Sequence, residues 1–125
     1  MKKLIVDIDM TMTKGKGPQG YIDAIVNADV VEKIKEYKKL GFDIVLNTSR
    51  NMNSYNGNVG LINKNTLPTI LSWLEKNNIP YDEIYVGKPW CGHDGFYIDD
   101  RAIRPSEFVS MSYDEIITML DREKK

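Results

Sequence analysis

Four short apolar runs, each ending abruptly in residues that carry a charge or a hydroxyl, constrain this chain more than any other feature. Residues 3–8 run into Asp7-Ile8-Asp9-Met10-Thr11, and residues 42–46 into Thr48-Ser49-Arg50. Residues 82–86 are followed by Gly87-Lys88-Pro89, and residues 96–98 by Asp99-Asp100-Arg101. Short β-branched apolar runs bounded by turn residues are consistent with buried strands.

Helical patterns fall between the runs. One begins near Asn27 or Asp29 and ends at Gly41, with Val30, Ile34 and Tyr37 on one face. Thr66 caps a second, carrying Ile70, Leu71 and Leu74, with Pro68 tolerated in its first turn. Ser112 and Glu115 have capping-box spacing ahead of Ile116, Ile117 and Leu120. Residues 13–20, rich in Gly and Pro, read as a polar loop, and residues 51–65, rich in Asn and Gly, as a second, unusually long one. Residues 108–111 read as a short edge strand. The order strand, helix, strand, helix, strand, strand, helix predicts an α/β fold. It is a three-layer, Rossmann-like, mainly parallel sheet with helices on both faces. In such sheets ligands bind outside the carboxyl ends of the strands, where all four polar clusters fall.

At roughly 100 to 200 residues per domain, the 125 residues predict one domain spanning 1–125. With 42% apolar and 28% charged residues the chain is ordinary globular material, not a disordered tail. A net charge of −1 and no basic stripe argue against a nucleic-acid or membrane partner. The single cysteine, Cys91, excludes a disulfide framework and a multi-cysteine metal site, and fits a reducing compartment. Asp7 and Asp9 interrupt the first apolar run before it reaches signal-peptide length, and no stretch suits a membrane span. A soluble, cytoplasmic protein is expected.

The strand ends would gather Asp7, Asp9, Asp99, Asp100, Thr48, Ser49, Arg50 and Lys88. Four bare carboxylates would raise one another's pKa values, and a hard divalent cation relieves that repulsion. All-oxygen ligation suits Mg²⁺, which keeps waters and shares its shell with phosphate. A carboxylate can attack phosphorus, and a second can protonate the leaving alcohol and then activate water. Lysine and hydroxyl groups would hold the phosphoryl oxygens as charge builds.

On these residues the chain resembles the haloacid dehalogenase superfamily of phosphohydrolases. Asp7-Ile8-Asp9-Met10-Thr11 matches its DxDx[T/V] motif, Thr48 its strand-end Thr or Ser, Lys88 its lysine and Asp99-Asp100 its acidic pair. All four stand in the family's order across residues 7–100. The resemblance implies Asp7 as nucleophile, Asp9 as general acid/base, and Thr48 and Lys88 on the phosphoryl group. It implies Mg²⁺ held by Asp7, the main-chain carbonyl of Asp9, and one or both of Asp99 and Asp100, with Asp100 favoured. Thr11, Ser49 and Arg50 are further substrate-side candidates, although Arg50 could equally pair with a carboxylate. Many members carry Gly where Met10 stands, and Thr-Gly-Arg where this chain has Thr48-Ser49-Arg50. The gaps between motifs hold no cap domain. An uncovered site leaves residues 14–20 and 51–65, or a second copy of the chain, to exclude water.

Residues 87–105 look further like a small group of bacterial capsule-polysaccharide biosynthesis phosphatases. That implies a small phosphorylated sugar, polyol or glycan precursor as substrate. An Asp-Asp-Arg ending also occurs in polynucleotide 3′-phosphatases, which keeps a nucleic-acid or nucleotide phosphate as the alternative. A phosphoacceptor receiver module fits poorly, because the cluster at the second strand offers Thr48 and no aspartate. Arg101 reads as a structural partner of an acidic neighbour. His93 reads as an exposed loop residue, Cys91 as unreactive, and Lys14 and Lys16 as solvated loop lysines.

Overall fold

The structure, a computed structural model, describes residues 2–124. The chain divides into two compact units, one up to Trp90 and one from Cys91 onward.

The first unit is a mixed α/β arrangement built on a parallel three-stranded sheet flanked by helices. Its strands are β1 (Lys3–Val6), β4 (Asp43–Asn47) and β5 (Glu83–Tyr85), in the order β1-β4-β5. The register sets Val6 opposite Leu46 and Asn47 opposite Tyr85, so the carboxyl ends of the three strands lie together. Burial explains the order: Ile44, Val45 and Leu46 are all buried, which suits a central strand covered on both faces. β1 differs from the fully buried strand expected of its sequence. It pairs with β4 on one side and alternates in burial, with Ile5 68% exposed.

Helix α1 (Ala28–Lys39) packs beside β4, burying Val30, Val31, Ile34 and Tyr37. Tyr37 meets Phe42 edge-to-face at 5.0 Å, closing the turn at Gly41 into β4. Helix α3 (Leu67–Lys76) buries Ile70, Trp73 and Leu74, whereas the expected Leu71 is only half-buried.

Two expected loops contain regular structure. Residues 13–20 lie mostly within an antiparallel hairpin of β2 (Thr13–Gly17) and β3 (Gly20–Val26). Its tip needs glycine: a Cβ on Gly17 would fall 2.1 Å from the Asp23 carbonyl oxygen. Asn27 N–H donates to the Met12 carbonyl at 2.8 Å, which extends the pairing at the hairpin's base, and the buried Trp73 indole N–H donates from α3 to the Ala24 carbonyl at 2.9 Å. Residues 51–65 make successive turns and then helix α2 (Val59–Asn65). Asn58 caps that helix by accepting from Leu61 N–H at 3.2 Å.

The second unit carries α4 (Pro105–Ser110) and α5 (Tyr113–Asp121). The expected strand at 96–98 is not formed; these residues have no regular secondary structure, and Phe96 and Ile98 are 76% and 90% exposed. The expected strand at 108–111 is instead mostly helix α4. Pro105 suits its first turn, and Glu107 reaches back to accept from Arg104 N–H at 2.8 Å. The capping box of α5 forms as its spacing predicts, with Ser112 accepting from Glu115 N–H at 3.2 Å. Arg101 pairs with Asp121 at 3.3 Å, a structural contact.

Candidate active site

The chain turns sharply after β1. The Ile8 carbonyl accepts from the N–H groups of Thr11, Met12 and Thr13, at 3.3, 2.9 and 3.1 Å. That turn forces Met10 to φ +60°, a left-handed conformation glycine adopts without a Cβ penalty. Met10 is exposed there, and its N–H donates to Thr13 Oγ1 at 3.2 Å. The position at which the motif departs from its commonest form is thus one where the backbone itself favours glycine.

Asp7 is half-buried at the mouth of this turn. Thr11 Oγ1 donates to its Oδ2 at 3.1 Å, and Lys88 Nζ stands 3.6 Å from its Oδ1. Burial pushes the Asp7 carboxyl above its ordinary range; Lys88 and the Thr11 hydroxyl oppose that rise, and the Asp9 charge adds to it.

Asp9 is held differently. Arg50 donates to both of its oxygens, Nε to Oδ2 at 3.0 Å and Nη2 to Oδ1 at 2.7 Å. The Arg50 side chain is 2% exposed, whereas Asp9 keeps 31%. Of the two roles open to Arg50, carboxylate pairing is the one this geometry displays. A carboxylate offers about four lone-pair sites, so two remain on Asp9 for a proton or a substrate contact.

Thr48 ties the strand ends together. Its N–H donates to the Tyr85 carbonyl at 3.0 Å, and its carbonyl accepts from Lys88 N–H at 3.1 Å. Its hydroxyl, buried with the rest of the residue, accepts from Arg50 N–H at 3.1 Å. Ser49 is half-buried beside it. The structure therefore brings Asp7, Asp9, Thr11, Thr48, Ser49, Arg50 and Lys88 to one end of the parallel sheet. Asp99 and Asp100 belong to the second unit, where both are exposed and Asp99 accepts from Arg101 N–H at 2.8 Å. His93 is exposed, and Cys91 Sγ sits 3.5 Å from the Gly92 carbonyl.

Lys88 depends on the glycine before it. Gly87 has φ +85°, and an added Cβ would approach Val59 Cγ2 to 3.1 Å. Val59 is 43% exposed and can give way, so the backbone conformation dominates the cost. We expect Gly87→Ala to lose about 1 kcal/mol of stability, a fall of roughly 4 °C in Tm by thermal melting.

Comparison with known proteins places the chain. A crystal structure of an MCSG target from Vibrio cholerae is 58% identical to it, with a TM-score of 0.94, over 98% of this chain and 99% of that one. The chain belongs to that protein's family. Two further matches come from structures of the Pnkp1/Rnl/Hen1 complex, one of them described as an RNA repair complex. They are 18% and 20% identical, each with a TM-score of 0.50 and 99% of this chain covered. This chain spans 32% and 44% of theirs, and at that identity the likeness is one of fold. Neither a family model nor a curated protein matches the chain.

One participant escaped the sequence reading. Tyr21, on β3, lays its ring against Arg50, with the guanidinium carbon 4.1 Å from the ring centroid. Its strand-like neighbourhood, Gly20-Tyr21-Ile22-Asp23-Ala24-Ile25-Val26, was the available signal, but the glycines before it read as loop. Among the described residues no group of three or more His, Cys, Asp or Glu side chains forms a ready-made metal cage. The donors at the sheet end are all oxygens, and a carboxylate destabilised by burial is one a cation would favour. Mg²⁺ commonly needs only one or two carboxylates, with water and phosphate completing its shell, so the residues present fit that ion.

Proposed function

We propose that this protein is a phosphomonoesterase of the haloacid dehalogenase type, acting through an aspartyl-phosphate. The observation that carries the reading is a half-buried Asp7 flanked by Lys88 and Thr11, beside an Asp9 held by Arg50, at the carboxyl end of a parallel sheet. Asp7 attacks phosphorus and the ester P–O bond breaks. Asp9 in its protonated form gives that proton to the departing alcohol, then as the carboxylate takes one from the water that hydrolyses the aspartyl-phosphate, releasing inorganic phosphate and Asp7. Lys88 and the hydrogen of the Thr48 hydroxyl, whose oxygen already accepts from Arg50, are the donors for the phosphoryl oxygens. Mg²⁺ would be held by Asp7 and the Asp9 main-chain carbonyl, and would neutralise charge shared by the carboxylate and phosphate. Asp99 and Asp100 are proposed as its further ligands on the sequence resemblance alone.

For substrate we propose a small phosphorylated sugar, polyol or glycan precursor, as in capsule or other surface-polysaccharide synthesis, handled in the cytoplasm. As the cover that excludes water from the site we propose a second copy of the chain. A terminal phosphate on a polynucleotide is the second reading. The fold likeness to chains of an RNA repair complex favours it, and the net charge of −1 weighs against it.

Turnover of an aryl phosphate, followed by a panel of sugar phosphates, polyol phosphates, nucleotides and 3′-phosphorylated oligonucleotides, tests both readings. EDTA is expected to lower the rate by about a hundredfold or more, and added Mg²⁺ to restore it. A rate indifferent to chelation would remove the metal from the proposal.

A further inference from the structure

We propose that Tyr21 is a positioning residue for Asp9, acting through Arg50, so that the β2–β3 hairpin sets the orientation of the acid/base carboxylate. Arg50 has five N–H donors to satisfy. Two go to Asp9, and its Nη1 is buried with no hydrogen-bond partner among the described residues. An unsatisfied buried donor is costly, and an aromatic face is a weak but real acceptor for a guanidinium. The Tyr21 ring lies in cation–π contact, 4.1 Å from the guanidinium carbon. It also takes the hairpin's own Lys16, whose Nζ is 4.8 Å from the same centroid. The strand that carries the ring is itself tied to α3, because Ala24, three residues on, accepts from the buried Trp73 indole.

These contacts form a chain from hairpin to ring to guanidinium to carboxylate. Rotating Arg50 away from Asp9 would cost it both the ring contact and two charge-assisted hydrogen bonds, and Asp9 cannot change rotamer without abandoning those bonds. Tyr21 touches no reacting group on this reading; it restricts the side chain that does. A ring is what the task needs, and the phenol oxygen is not. Phenylalanine should therefore replace tyrosine here, and leucine should not.

The kinetic part of the test rests on the hydrolase reading, and the spectroscopic part does not. Hydrogen exchange of the Arg50 Nε–H, followed by ¹⁵N NMR, is expected to be slow in the wild type and in Tyr21→Phe. It is expected to quicken by about tenfold in Tyr21→Leu. Against an aryl phosphate, Tyr21→Leu should lower kcat by about tenfold with KM within about twofold, and Tyr21→Phe should recover kcat. Should the leucine variant not fold, Tyr21→Thr, which suits a strand, takes its place. Unchanged exchange of the Arg50 Nε–H in a folded ring-less variant would overturn the proposal. Changed exchange in a protein that hydrolyses no phosphate ester would keep the positioning contact and discard the hydrolase reading.

Discussion

Asp7→Asn is expected to abolish phosphate-ester hydrolysis, by about ten-thousand-fold or more, while the protein stays folded. The amide keeps an oxygen for the Thr11 hydroxyl, now at 3.1 Å from the carboxylate, but cannot form the acyl phosphate. Stability should move the other way. Burial holds the Asp7 carboxyl above its usual value of 3.8, so the folded state favours the neutral form. Between the unfolded and the folded pKa the native chain binds more protons than the unfolded chain, and stability falls as pH rises through that window. Above the folded pKa the charged carboxylate is a standing cost, and asparagine removes it. In EDTA, Asp7→Asn should therefore melt no lower than the wild type at about pH 7. Any advantage should shrink toward about pH 3, below the unfolded value, where both side chains are neutral. Wild-type turnover in this variant would end the aspartyl-phosphate reading. A variant that melted well below the wild type at neutral pH would show that the Lys88 contact at 3.6 Å outweighs the desolvation of Asp7.

Arg50→Ala should have the largest effect on stability among the site residues. The substitution removes a side chain only 2% exposed, two charge-assisted bonds to Asp9 and the contact with Tyr21. It leaves Asp9 as an unpaired anion. Breaking a fully buried pair costs about 3–5 kcal/mol, and the 31% exposure of Asp9 places this case near the lower end. A loss of about 3 kcal/mol corresponds to a Tm lowered by roughly 10 °C. Hydrolysis should fall by about a hundredfold, because the carboxylate proposed as acid/base loses its orientation. Arg50→Lys should recover little, since an ammonium cannot span both oxygens with the planar fork of arginine. Adding Asp9→Asn to Arg50→Ala should restore part of the lost melting temperature, since no stranded charge remains. A melting temperature within a few degrees of the wild type for Arg50→Ala would show that water satisfies Asp9 without it.

The parallel sheet was legible because its evidence is local and repeated. Ile44, Val45 and Leu46 form a continuous apolar run, and such a run occupies a strand covered on both faces. The residues after it, Thr48 and Arg50, lie where strand-end logic puts them. The hairpin was not legible, because glycine carries two meanings. Gly15 and Gly20 have positive φ, and Gly17 lets the Asp23 carbonyl approach. Those demands arise inside a bulged antiparallel pair, yet in sequence they look like an irregular loop. Helix α4 was hidden by a similar ambiguity. Phe108-Val109 suits a strand by propensity, and the helix is set instead by Pro105 and the backward reach of Glu107. The pairing of Arg50 with Asp9 joins residues 41 positions apart, and no spacing rule encodes it. The resemblance supplied the chemistry proposed for the site, whereas the partners of each carboxylate came only from the coordinates.

The bond from the Trp73 indole to the Ala24 carbonyl reaches beyond the packing of one helix. The hairpin forms a two-stranded sheet of its own, so its attitude toward the strand ends is governed from α3, on the far side of the hydrogen bond. Sequence drift in the interior of that helix would shift the strand that bears Tyr21, without altering any residue at the sheet end. Buried helix residues are thereby linked to a carboxylate at the sheet end through one indole, one ring and one guanidinium.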